Sequence, residues 1–123
     1  MDWTRRVPFT ATSSGNLAQT ASSGGGASAV VNLATAASTN AARFLTDIIW
    51  SYSTTPTGSP TLTVYDGTSS GAPILRVGLA LADVGHLRVP LRSSVGSQMA
   101  VELTQAGSSI IGYLNAYAFA EAP

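Results

Sequence analysis

The chain contains no cysteine and no lysine, has one histidine, and is poor in charged residues of either sign. Without cysteine it can form no disulfide and carry out no thiol chemistry. Charged residues make up 10% of the sequence, whereas about 25% is typical of soluble domains. Six arginines balance six carboxylates, so the formal net charge is zero. Because affinity for phosphates grows with the number of cationic contacts, we expect no nucleic-acid partner.

The shortage of charge also predicts self-association. A protein without net charge lacks the electrostatic repulsion that keeps copies apart in solution. We therefore expect part of the surface to be buried against other subunits.

Long apolar segments are missing as well. No apolar run approaches the roughly 18 residues that a membrane-spanning helix needs, so we expect no membrane partner. Residues 1–9 carry an early acid and no apolar central block, which is unlike a secretory signal. The sequence therefore predicts a protein made and used without Sec export.

The dominant pattern is alternation of apolar and polar residues with a period of two. Ile48, Trp50 and Tyr52 share one face of a segment, and Leu62 and Val64 share one face of the next. This alternation is typical of half-buried antiparallel strands. Segments of this kind recur at residues 29–36, 43–53, 61–66, 73–81, 85–92, 98–105 and 109–120. About seven strands without a helical period predict an all-β fold, an antiparallel β-sandwich that is jelly-roll-like.

Some strands can be placed within the sheets. Residues 43–53 are apolar on both faces in their central part, which predicts a position inside a sheet. Residues 85–92 contain Pro90, which cannot donate to a ladder and predicts an edge strand or a bulged position. We expect the strands of residues 44–64 to pair with each other and to face those of residues 75–103. In the last strand Ile111, Tyr113, Tyr117 and Phe119 share a face.

The N-terminal part differs from the rest in composition. Residues 1–28 are interpreted as an extended arm and a small-residue linker, and residues 29–123 as the sandwich domain. Three consecutive glycines at 24–26 argue against a regular element there. Aromatic residues near the start suggest an arm that becomes ordered on assembly. Its expected partner contacts are Trp3, Arg5, Arg6 and Phe9.

Catalysis by a serine nucleophile would depend on His86, the one histidine. A serine nucleophile would need His86 as its base, oriented by Asp47, Asp66 or Asp83. No Gly-x-Ser-x-Gly motif accompanies it, and a surface histidine beside Asp83 is the simpler interpretation. Asp47 and Glu102 are the acids embedded in strand patterns and the one possible glycosidase pair, although Asp47 is more simply paired with Arg43 or another arginine.

Metal and cofactor sites are not predicted. One histidine without cysteine cannot fill a zinc shell unless three carboxylates converge on it. Asp66 and Gly67 lack the alternating acids of a calcium loop and predict a hairpin turn. We therefore expect a protein that is not an enzyme, with no catalytic residues, no bound metal and no cofactor.

The aromatic residues leave two interpretations open. They are either a stacking platform for sugar rings or core and subunit contacts, and they are Trp50, Tyr52, Tyr65, Tyr113 and Tyr117. Arg88 and Arg92 beside His86 add a modest positive edge. The candidate subunit or ligand surface is therefore Tyr113, Tyr117, Arg88 and Arg92.

Two consecutive blocks resemble small β-sandwich virion proteins of tailed bacteriophages. Residues 50–58, Trp-Ser-Tyr-Ser-Thr-Thr-Pro-Thr-Gly, resemble their strand and loop, and residues 62–67, Leu-Thr-Val-Tyr-Asp-Gly, resemble their return strand. Residues 111–117, Ile-Gly-Tyr-Leu-Asn-Ala-Tyr, are similar to their C-terminal strand. The resemblance extends over residues 29–119.

The resemblance implies a structural role on the surface of the phage particle, for a protein made in the host cytoplasm. It implies a capsid decoration (cement) protein that bridges neighbouring capsid subunits. The expected partners are the major capsid protein or another virion protein, and other copies of the chain in a homotrimer. The alternative is a carbohydrate-binding module or a tail or adaptor component of a host-recognition apparatus.

Overall fold

The computed structural model describes residues 17–23, 27–33, 42–79, 84–94 and 96–121. Eight β-strands lie in this part of the chain: β1 (Leu17–Ser22), β2 (Ala29–Leu33), β3 (Ala42–Tyr52), β4 (Thr61–Asp66), β5 (Ala72–Gly78), β6 (Val84–Arg92), β7 (Met99–Leu103) and β8 (Gly112–Glu121). They form two antiparallel four-stranded sheets, ordered β1-β8-β3-β6 and β2-β7-β4-β5. This alternation of strands between two sheets is that of a jelly roll. The predicted sandwich is confirmed. None of the described elements is a helix long and apolar enough to cross a bilayer.

Strand β1 is an addition to the predicted set. Residues 17–22 belong to the predicted linker, but they pair with β8 along their whole length, from Leu17 opposite Ala118 to Ser22 opposite Tyr113. The prediction was wrong here because a ladder is made by backbone groups and needs no large side chains. The rest of the predicted arm, residues 1–16, and the glycines at 24–26 lie outside the described residues.

One core lies between the inner faces of the two sheets. The predicted inward residues Val31, Leu33, Leu62, Val64, Met99, Val101 and Leu103 are all buried. In β3 the phase of burial changes, because Leu45 and Ile48 are both fully buried although they are three residues apart. A bulge between Leu45 and Asp47 accounts for the change, since one extra residue moves the following side chains to the other face.

The predicted positions of two strands within their sheet are confirmed. β3 lies between β8 and β6, so it is paired on both sides. β6 is an edge strand and carries the exposed Pro90.

The predicted pairing of the segments around residues 44–64 is wrong. β3 and β4 lie in different sheets, and residues 53–60 cross between them. The crossing is held by a hydrogen bond of 2.9 Å from Thr57 N to Ala106 O and one of 2.8 Å from the Tyr52 hydroxyl to Thr104 O. The apolar faces of the two strands thus meet across the core, which buries them more completely than lying side by side would.

Trp50 and Gly85 form a close cross-strand contact. They are directly opposite each other in β3 and β6, and the buried Trp50 ring lies against the Gly85 backbone. An added Cβ at Gly85 would overlap that ring, with Cε2 2.6 Å away and two further ring carbons closer still. Glycine is therefore required at this position for reasons of space.

Candidate interaction surface

The outer surface of β8, β3 and β6 gathers most of the residues that the sequence singled out. Facing residues on neighbouring strands share a face, so the register fixes which side chains are neighbours. We call this surface the outer face, and its cross-strand rows are Tyr113–Ser51–Val84, Asn115–Ile49–His86, Tyr117–Asp47–Arg88 and Phe119–Phe44–Arg92.

One end of the outer face is apolar and exposed. Val84 is 67% exposed, Tyr113 42% and Ile49 36%. Ser51 lies opposite both Val84 and Tyr113, and Ile49 is two residues before Ser51 on the same face. Among the described residues one further large hydrophobic side chain is exposed, Ile74 at 39%, and it lies in the other sheet. Exposed apolar side chains are thus concentrated in one place, which we call the apolar corner: Ile49, Val84 and Tyr113.

Charged residues lie beside the apolar corner. His86 Nε2 lies 2.8 Å from Asp47 Oδ1, and Arg88 Nε lies 3.9 Å from the same oxygen. Asp47 is on the outer face because of the bulge that precedes it. The predicted surface histidine is exposed, but the carboxylate it contacts is Asp47, whereas Asp83 lies outside the described residues. Asp47 was expected to lie near Arg43 or another arginine, and the arginine beside it is Arg88.

The chemistry available at His86 is limited. No hydroxyl of a described residue is hydrogen-bonded to its imidazole, so a nucleophile and base pair is not assembled among them. The described residues contain no group of three or more His, Asp or Glu that could hold a metal ion. Asp47 and Glu102 cannot act as a glycosidase pair, because β3 and β7 belong to different sheets and both side chains are on outer surfaces.

The aromatic residues of the predicted sugar platform do not lie together. Trp50 and Tyr52 are in the core. Burial raises the pKa of Tyr52 to about 12. Tyr65 lies on the other sheet and donates a hydrogen bond of 3.1 Å to Glu102 Oε1. Only Tyr113 and Tyr117 remain on the outer face, in rows separated by that of Asn115.

Two further contacts hold the outer face in shape. Thr46 Oγ1 donates to the carbonyl oxygen of Tyr117 at 3.1 Å, and Asn115 Nδ2 lies 3.4 Å from the carbonyl oxygen of Ile49. Both link β3 to β8 next to the exposed side chains. The outer face is therefore supported by paired strands, which these two hydrogen bonds connect in addition to the backbone ladder.

Asp66 has a structural role at one end of the sandwich. Its carboxylate accepts hydrogen bonds from the backbone N and the hydroxyl of Ser94. The Ser94 hydroxyl is the main cause of a lowered pKa for Asp66, because hydrogen bonds to a carboxylate favour its charged form. Gly67, with φ of 109°, follows it and begins the turn between β4 and β5. The predicted hairpin turn is confirmed.

The predicted contact residues divide into two groups. Trp3, Arg5, Arg6 and Phe9 lie outside the described residues. The other four, Tyr113, Tyr117, Arg88 and Arg92, are all on the outer face. Sequence reasoning missed Ile49 and Val84. The available signal for Ile49 was the alternation in its strand. Ile48 and Trp50 share the inward face, so Ile49 between them faces outward.

No model of a known protein family matches this chain, and no curated protein was found to be similar to it.

Proposed function

We propose that this protein is a non-enzymatic structural protein of a tailed-phage virion, a capsid decoration protein that binds where neighbouring capsid subunits meet. It acts as an oligomer, with a trimer expected. The observation that carries the proposal, through its oligomeric part, is the apolar corner on the outer face, with both signs of charge beside it. Protein interfaces combine a small apolar centre with a polar rim in this way.

The mode of action follows from multivalency. A capsid repeats the same surface many times, so an oligomer can contact several capsid subunits at once. Linking binding sites raises the overall affinity without any new type of contact, provided that the spacing fits. A small, charge-poor subunit can thus hold a lattice together although each of its contacts is weak.

The sequence resemblance supports the same role. Residues 50–58 and 62–67, which carry it, form the end of β3, the crossing between sheets and the strand β4. Trp50 and Tyr52 are core residues, and Pro56 and Pro60 in the crossing are buried. The resemblance thus lies in residues that determine the fold, and it supports the role by analogy of fold.

The proposal is tested on particles of the phage or prophage whose genome carries the gene. Mass spectrometry of gradient-purified virions should detect the chain in stoichiometric amounts with the major capsid protein. Purified protein should also co-sediment with heads that have been stripped of it. Absence of the chain from purified virions would contradict the proposal.

The N-terminal residues are part of the proposal. Trp3, Arg5, Arg6 and Phe9 are expected to contact the capsid, since they precede a segment of small residues. Deletion of residues 1–9 should abolish co-sedimentation with heads and leave the sandwich folded, as judged by circular dichroism. Undiminished binding by the truncated protein would reject the contribution of these residues.

A carbohydrate-binding module of a host-recognition apparatus is the second candidate. It is favoured by Tyr113, an exposed aromatic ring with the polar Ser51 opposite it and Asn115 in the next row. Jelly rolls also include lectin domains. A glycan array separates the two candidates, because a sugar-binding protein should give signals that Tyr113→Ala removes. An array without signal for the wild-type protein would reject the carbohydrate-binding module, and the structural role would remain as the one candidate.

A further inference from the structure

We infer that the apolar corner is an interface between copies of this chain, with the corner of one copy packed against the corner of the next. The inference rests on the oligomeric part of the proposed function and not on the capsid as partner. It assigns the interface to one of the two sheet surfaces and to one end of that surface.

The first argument is the distribution of exposed apolar area. Three of the four exposed large hydrophobic side chains of the described residues are in the apolar corner. Removing such area from water is favourable in proportion to its extent. Tyr113 is also one of the residue types that most often anchor interfaces, because it combines a large ring with a polar group. Among the described surfaces, this end of the outer face is thus the one whose burial should be most favourable.

The second argument identifies the occupant as another copy. The outer face carries an acid, Asp47, and a cation, Arg88, in one row, with the His86 imidazole in the next row. A surface with both signs can meet itself, since symmetry brings the acid of one copy near the cation of the other. The chain has no net charge, so copies do not repel each other. A strongly acidic or basic partner would be matched by a surface of one sign.

The third argument excludes a continuous sheet between copies through β6. An edge strand can pair with another edge strand, but β6 contains Pro90, which lacks the N–H that a ladder needs. The apolar corner is therefore expected to be covered through the face of the sheet and not through pairing along β6.

The test substitutes Val84, the most exposed member of the apolar corner, with glutamate. Ile74→Glu is the matched control, because it places the same charge at an exposed apolar position on the other sheet. Light scattering over a range of concentrations should give a multiple of the 12.5 kDa chain mass for the wild type. Val84→Glu should raise the dissociation constant by at least about 30-fold, whereas Ile74→Glu should leave it unchanged. Circular dichroism checks that both variants remain folded.

A mixing experiment tests that corner meets corner. Val84→Glu and Val84→Arg should each be dissociated alone, since each places like charges together. Mixed, they should associate with each other, since opposite charges meet wherever the two variants are neighbours. A mixture that stays monomeric would overturn the inference, because the corner would then contact some other surface.

Other results would also overturn the inference. They are a wild-type protein that is monomeric at every concentration, and an oligomer that Ile74→Glu dissociates and Val84→Glu does not. A monomer whose binding to a glycan array is lost in Tyr113→Ala would assign the corner to sugar. The capsid proposal fails separately, because an oligomer that is absent from virions would leave this inference intact.

Discussion

Replacement of Gly85 by alanine should destabilise the protein strongly, although one methyl group is added at the edge of a sheet. The new Cβ would overlap the Trp50 ring, whose Cε2 would be 2.6 Å from it. The ring cannot move away from β6 into the core, because core residues such as Ile48 and Leu114 fill that space. Either the ring leaves its position or β6 moves away from β3.

The magnitude follows from how packed cores respond to added volume. Overpacking by a methylene group or more typically costs about 1–3 kcal/mol. The present overlap is with a rigid indole ring and not with a flexible chain end, so we expect about 3 kcal/mol. For a domain of this size such a loss lowers Tm by about 10 °C.

Thermal and urea unfolding followed by circular dichroism measure the effect. Gly78→Ala is the matched control, because Gly78 is also on an edge strand and an added Cβ there meets nothing within 4 Å. It should be neutral or slightly stabilising, since alanine restricts the unfolded chain more than glycine does. Trp50→Leu combined with Gly85→Ala should cost less than the sum of the single substitutions, because removal of the ring removes the overlap.

A Gly85→Ala variant as stable as Gly78→Ala would refute the reasoning. The Trp50 ring would then not lie against the backbone of β6. Additive effects in the double variant would lead to the same conclusion.

Three other substitutions test the core, the sandwich end and the crossing. Leu114→Ala should lower the free energy of unfolding by about 3 kcal/mol, because Leu114 is fully buried and a cavity would remain, and urea unfolding measures the loss. Asp66→Asn should destabilise the protein at neutral pH; its lowered folded-state pKa means that the stabilisation is complete above about pH 5 and is lost as the pH falls through that pKa. The difference between Asp66→Asn and wild type in urea unfolding should therefore shrink towards acid pH, and a constant difference would reject the role of the Ser94 hydrogen bonds. Tyr52→Phe should cost about 1 kcal/mol through loss of the hydrogen bond to Thr104. It should also remove the tyrosine absorbance step near pH 12, and persistence of that step would show that another tyrosine causes it.

The strands could be predicted from the sequence wherever one face is buried and the other is not. Leu62 and Val64, or Met99 and Val101, are inward in a simple alternation, and the period of two gives both the strand and its buried face. β1 could not be found in this way. Its residues are small or polar and give no alternation, and its place in the sheet comes from backbone pairing with β8.

The arrangement of strands was harder to predict than the strands themselves. Segments that are adjacent in sequence often pair, which made β3 and β4 look like neighbours in one sheet. Nothing local distinguishes an eight-residue hairpin loop from a crossing between sheets. The distinction depends on contacts such as those from Tyr52 and Thr57 to residues 104 and 106, which are about fifty positions away in the chain.

Part of the candidate surface could be inferred, and the missing part has a physical cause. Tyr113, Tyr117, Arg88 and Arg92 stand out as aromatic or charged residues in strands. Ile49 and Val84 do not stand out, because an apolar residue in a β-strand suggests burial unless its phase is known. The phase of Ile49 follows from Ile48, Trp50 and Tyr52 on the other face, whereas the bulge between Leu45 and Asp47 separates Leu45 from the face of Ile49 and no feature of the sequence marks it.

The contact between Gly85 and Trp50 also connects the stability of the core to the proposed interface. Val84 directly precedes Gly85, and Ile49 directly precedes Trp50, so the apolar corner lies on the opposite side of the same two strand segments. A Gly85→Ala variant that moves β6 should therefore displace Val84 and weaken self-association even at temperatures where the variant is folded. Val64→Ala, a core substitution in the other sheet, is the control, because it lowers stability without touching β6. Light scattering at 10–20 °C below the Tm of each variant compares them at similar stability. Self-association that is equal in the two variants would mean that β6 keeps its position in Gly85→Ala and the Trp50 ring moves instead, or that the copies meet elsewhere.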